Sequence, residues 1–121
     1  MKKKIISAFL ALVLMLSLAI PAFAAQYVSD GYYDGSYYEI VDNCTGDTFS
    51  GTIFCSDRIV YVTANVSYIV DDDYSSGYTV ASHPQYGHST VSDHVTGHLL
   101  CVDFKHYIDG NVVRNNIMYR S

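Results

Sequence analysis

The chain has 121 residues, half of them apolar, and a formal net charge of −5. The apolar residues crowd the front: 18 fall in the first 24 positions, and the remaining 97 residues have the composition of one small globular domain, too short for two. Without the three amino-terminal lysines, only Arg58, Lys105, Arg114 and Arg120 stand against 12 acidic residues, a balance of −8 that disfavours nucleic acid and anionic membranes as partners.

Lys2, Lys3 and Lys4 precede an apolar run over 5–20, and Pro21 with Ala22-Phe23-Ala24 supplies a helix break and a small-x-small site. This pattern predicts a helical signal peptide over 1–24, cleaved after Ala24, and hence a secreted protein. No second run reaches the 18 or more apolar residues of a spanning helix, so no membrane partner is expected after cleavage.

Residues 25–38 contain five tyrosines with Gly, Ser and Asp and almost no aliphatic side chains. The segment predicts a flexible or loosely paired arm, followed by a β domain over 39–121. Tyrosine gives large contact area at low entropy cost, so Tyr32, Tyr33, Tyr37 and Tyr38 are the candidate ligand-binding residues.

From Thr48 on, the pattern alternates. Residues 48–55 place Phe49, Ile53 and Cys55 on one face, Ser56-Asp57-Arg58 reads as a turn, and 59–70 put Val60, Val62, Ala64, Val66, Tyr68 and Val70 on one side of a half-buried strand. Asp71-Asp72-Asp73 predicts an acidic loop. Asp109-Gly110 predicts a two-residue hairpin with Ile108 opposite Asn111. Carried down the strands, that register sets Val102 against Ile117, His106 against Val113 and Lys105 against Arg114. Six or seven short strands predict a small antiparallel β-sandwich, immunoglobulin-like in layout, with a partly closed β-barrel as the alternative.

Three cysteines permit one internal bridge, and facing patterns favour Cys44 with Cys101 or Cys55. All five histidines lie between His83 and His106. His94 and His98 have helical ligand spacing, but their surroundings are β-type, where residues four apart are separated by about 13 Å. His83, His88 and His94 therefore remain only weak metal candidates. The acidic run lacks the glycine and glutamate positions of a calcium loop. Ser92-Asp93-His94 is a strand sequence whose side chains alternate and cannot form a relay, and Glu39 is the only glutamate. No catalytic residue and no cofactor is assigned.

The Cys55-Ser56-Asp57 turn, the Val62-Thr63-Ala64-Asn65-Val66-Ser67-Tyr68 strand, Tyr78-Thr79-Val80 and Thr96-Gly97-His98 before a final hairpin resemble uncharacterised small secreted β-sheet proteins of Gram-positive gut bacteria. The resemblance implies export and a β-sheet layout, and no activity. The expectation is a non-enzymatic secreted domain that binds a cell-surface, glycan or protein partner or self-associates through its edges. A bacteriocin-like antagonist and a small metal-binding protein are the alternatives.

Overall fold

The structure is a computed structural model that describes residues 25–71 and 74–119. The expected signal peptide lies outside the described residues, as do Asp72 and Asp73 of the acidic turn. Seven strands follow in order: β1 (Ala25–Tyr33), β2 (Ser36–Cys44), β3 (Thr48–Asp71), β4 (Tyr74–Ala81), β5 (Gln85–His94), β6 (His98–Ile108) and β7 (Asn111–Tyr119). They form one antiparallel sheet, nearly closed as a barrel in place of the immunoglobulin-like sandwich expected first, and no helix occurs among the described residues.

Strand β3 organises the fold. At 24 residues it runs through the Ser56-Asp57-Arg58 segment, where a turn between two strands was expected. Its first part pairs with β2 on one edge and β5 on the other, and its second part with β6 and β4. The registers jump between Cys55 and Ile59, opposite Gly87 and Tyr86. These extra residues swap the inward parity: Phe49, Ile53 and Cys55 are buried before the bend, and Val60, Val62, Ala64 and Val66 after it. One strand thereby lines both halves of the interior. The inward face predicted for the even residues holds through Val66, while Val70 is exposed beyond a register shift at Ser67 and Tyr68.

Arg58 fastens the bend. Its guanidinium donates to Asp109 at 2.8 Å and to the Asp34 carboxylate at 3.3 Å, while Nε donates to Ser36 Oγ at 3.2 Å. The two acids sit in matching turns, Asp34-Gly35 and Asp109-Gly110, with all four residues at positive φ. This backbone suits the twist of a two-residue hairpin, and Asp-Gly tolerates it. On the opposite edge of β3, Ser82 bridges β4 and β5 by exchanging bonds with Val62: its amide donates to the Val62 carbonyl and its Oγ accepts from the Val62 amide, both at 2.8 Å.

Residues 25–38, expected as an arm, instead form β1, its turn and the start of β2, with every residue of β1 paired to β2. The reason is the Asp34-Gly35 turn, which folds the tyrosine-rich sequence back on itself. The last hairpin turns where expected, but the register slips between His106 and Tyr107, leaving Val113 as the extra residue. Val102 therefore faces Met118 rather than Ile117, and His106 faces Arg114 rather than Val113. The slip has a physical rationale. It puts Met118 into the core, turns Ile117 to solvent, and sets Lys105 against Asn115 in place of the like-charged Arg114.

Candidate functional site

Strand β2 is buried on both sides from Tyr38 to Asp42, and its two faces carry different chemistry. On the inner face, Asp42 and His106 are both fully buried. Asp42 Oδ1 lies 2.8 Å from His106 Nε2, Asn116 donates to Asp42 Oδ2 at 3.0 Å, and His106 Nδ1 is 3.1 Å from the Arg114 carbonyl oxygen. Every polar atom of the Asp42 carboxylate and the His106 ring thus has a partner. Gly51, opposite Asp42, makes room for the cluster: a Cβ there would stand 2.6 Å from the Phe104 ring and 3.0 Å from Asp42 Oδ1. This group pins β2 to β6 and β7 across the interior. Beside it, Arg114 donates to the Asp30 carbonyl at 3.2 Å, and Asn111 donates to Tyr33 Oη at 2.7 Å, so side chains join β7 to β1.

The outer face of β1, β2, the first part of β3 and β5 is arranged in cross-strand rows. Tyr32 pairs with Tyr37; Asp30 with Glu39, which faces Phe54 and then His88; Val28 with Val41, followed by Thr52 and Thr90; Gln26 with Asn43, followed by Ser50 and Ser92. The register brings these side chains to one face because strand alternation is strict at period two. The Tyr32 and Tyr37 rings meet edge to face at 5.3 Å between centroids, and Phe54 stacks with His88 at 6.1 Å. Tyr37 Oη donates to Asp30 Oδ2 at 2.7 Å, and burial together with this acid raises the phenol pKa.

Glu39 is the anomaly of the face. It is only 2% exposed, and neither carboxylate oxygen has a hydrogen-bond partner. Burial, and secondarily the charge of Asp30, pushes its carboxyl up to about 7. Gln26 Nε2 is likewise closed to solvent and unpartnered. Buried polar groups are nearly always satisfied, so an unfilled carboxylate and an unpaired amide nitrogen on one face stand out. The rim around Glu39 is open: Asp30 and His88 are exposed, and Tyr32 is 72% exposed. At the end of the same face, a cavity of about 490 Å³ is bordered by Asn43, Ser50, Ser92 and His94.

The four tyrosines singled out from the sequence are divided by this geometry. Tyr32 and Tyr37 meet on the outer face, Tyr33 is held by Asn111 and lies 5.8 Å from the Arg58 guanidinium, and Tyr38 belongs to the core. Sequence reasoning missed Asp30, Glu39, Phe54 and His88 as their neighbours. The available signal was Asp34-Gly35, since a hairpin closed there places Asp30 opposite Glu39 by counting alone.

The candidate metal ligands do not gather. His83 lies in the β4–β5 link, His88 midway along β5 and His94 at its end, and no group of three His, Cys, Asp or Glu suited to a metal occurs among the described residues. The three thiols are unbridged, which departs from the expected disulfide. Cys55 stands six residues along β3 from Phe49, the residue facing Cys44, a separation of about 20 Å that no disulfide spans. Cys44 and Cys101 border a common cavity of about 490 Å³. Cys44 packs against the core, its thiol 3.9 Å from Met118 Sδ, and burial pushes its pKa up to about 12. Cys101 sits in a row with Ser67 and the exposed Tyr119.

No family model, curated protein or solved structure matches the chain, so the functional reading rests on this geometry.

Proposed function

We propose that the protein is exported, that residues 25–121 form a non-enzymatic binding module, and that its ligand is a cell-surface glycan held on the outer face of β1, β2, β3 and β5. The observation that carries this reading is the exposed Tyr32, packed edge to face on Tyr37, on a face that also presents Phe54 and rows of hydroxyl side chains. Aromatic rings supply apolar contact for pyranose faces, and the neighbouring Thr52, Thr90, Ser50 and Ser92 hydroxyls match sugar hydroxyls in chemistry. The lysine-led apolar leader supports export.

Binding of residues 25–121 to insoluble peptidoglycan and chitin, read by co-sedimentation, tests the proposal. Tyr32→Ala removes an exposed ring without touching the core and is expected to weaken retention about tenfold. Retention that is absent for the unaltered protein, or untouched by this substitution and by Phe54→Ala, would remove the outer face as the binding surface.

A further inference from the structure

We infer that the outer face of the second part of β3, β6 and β7 is a self-association surface, which packs on the same face of a second copy about a two-fold axis passing over the Phe104 backbone. The inference goes beyond the glycan reading and uses none of its residues. Because β3 pairs with β6 and β6 with β7, outward side chains fall into rows across the strands. Tyr61, Tyr107 and Val112 form the row nearest the Asp109-Gly110 turn, and their two rings stack at 4.3 Å between centroids. Lys105 with Asn115 comes next, then Asp103 with Ile117, then Cys101 with Tyr119. Val112, Ile117 and Tyr119 are 53%, 45% and 70% exposed. Scattered apolar side chains need no explanation, but three gathered on one strand face beside a tyrosine stack mark a contact surface.

Charge selects the partner. These rows carry one base, Lys105, and one acid, Asp103, and neither has an ion-pair partner among the described residues. Asp103 Oδ1 accepts no hydrogen bond either. The two stand two residues apart on β6, about 6.8 Å along the strand. Turned over about the axis, a second copy sets its Asp103 against Lys105 and its Lys105 against Asp103. Each charge thus meets its opposite twice, which is the self-complementarity that a two-fold contact requires. The same rotation lays Val112 against Tyr119 of the second copy, so the most exposed apolar side chains of β7 cover each other. The rows are neutral although residues 25–121 carry −8, so general repulsion disfavours most other encounters between copies. Three strands make a small interface, which sets the association at micromolar concentrations rather than below.

Sedimentation equilibrium on residues 25–121, from about 1 μM to about 500 μM, is expected to show the mean mass rising toward that of a dimer. Asp103→Lys leaves two bases on the face and Lys105→Asp leaves two acids, so each variant alone should associate at least about tenfold more weakly than the unaltered protein. Mixed in equal amounts, the two variants should recover the dimer, because every facing pair is then of opposite charge. Exchanging both charges in one chain, Asp103→Lys with Lys105→Asp, should also recover it. These recoveries distinguish a lost contact from a misfolded variant. Tyr119→Ser should weaken association about tenfold without altering the charge pattern. A protein that stays monomeric throughout the range would overturn the inference. So would a dimer indifferent to both charge reversals, which places the contact on another surface, or variants that fail to associate when mixed. None of these outcomes bears on retention through Tyr32, so the glycan reading stands or falls separately.

Discussion

Asp42 and Glu39 stand three residues apart on the same strand, both are buried, and they have opposite circumstances. Asp42 faces inward, where His106 and Asn116 take both its oxygens. Glu39 faces outward and has neither oxygen filled. A buried acid whose bonds are complete holds strands together, whereas a buried acid with none stores unfavourable energy that only a proton or a ligand relieves. The odd spacing that sends the two to opposite faces thus separates a carboxylate that ties strands together from one left without a partner.

Three measurements would break or sharpen that contrast. The largest effect belongs to Asp42→Ala, which strands His106 and Asn116 inside the barrel and is expected to cost about 3–4 kcal/mol in chemical denaturation. A loss below about 1 kcal/mol would mean that the interior cluster does not hold the strands. Next comes the pH dependence of stability from Glu39. Its folded pKa, about 7, lies above the ordinary 4.5, so the folded state binds the extra proton. Stability contributed by this group is complete below pH 4.5 and falls as pH rises from there through 7, by up to about 3 kcal/mol. Glu39→Gln should flatten that slope and make the protein more stable than the unaltered chain above pH 7. A slope unchanged by the substitution would assign the proton elsewhere.

The smallest effect concerns the thiols, which also divide between inside and outside. Native protein should label first at Cys101, slowly at Cys44 beside Met118, and at Cys55 only on unfolding, since Cys55 is 1% exposed. Peptide mapping after timed alkylation reads the order, and early labelling of Cys55 would contradict the closed interior near the bend.

The alternation in 59–66 was legible because each inward residue there is aliphatic, and the Asp109-Gly110 hairpin because turn chemistry is local. The continuity of β3 was not legible: Ser56-Asp57-Arg58 has turn composition, and only Arg58 reaching Asp34 and Asp109 makes it a bend within one strand. The slip at Val113 left one trace in the sequence, the Lys105–Arg114 clash that an unbroken register implies. The Tyr32 to Tyr38 segment hid its turn because Asp34-Gly35 is flanked by tyrosines rather than aliphatics, although the dipeptide is the same one that marks the last hairpin. The outer site was legible only in its aromatic part. Glu39 carries no local signal, because its meaning comes from burial without a partner.

The bend at Arg58 has a kinetic corollary. Since β3 lends its first part to one half of the barrel and its second part to the other, neither half has a complete set of strands without it. The chain should melt in a single transition, and refolding should be slow for its size, because β3 must find partners both before and after it in the chain before either half is secure. A nick at the bend would therefore unravel the whole barrel instead of releasing a stable fragment.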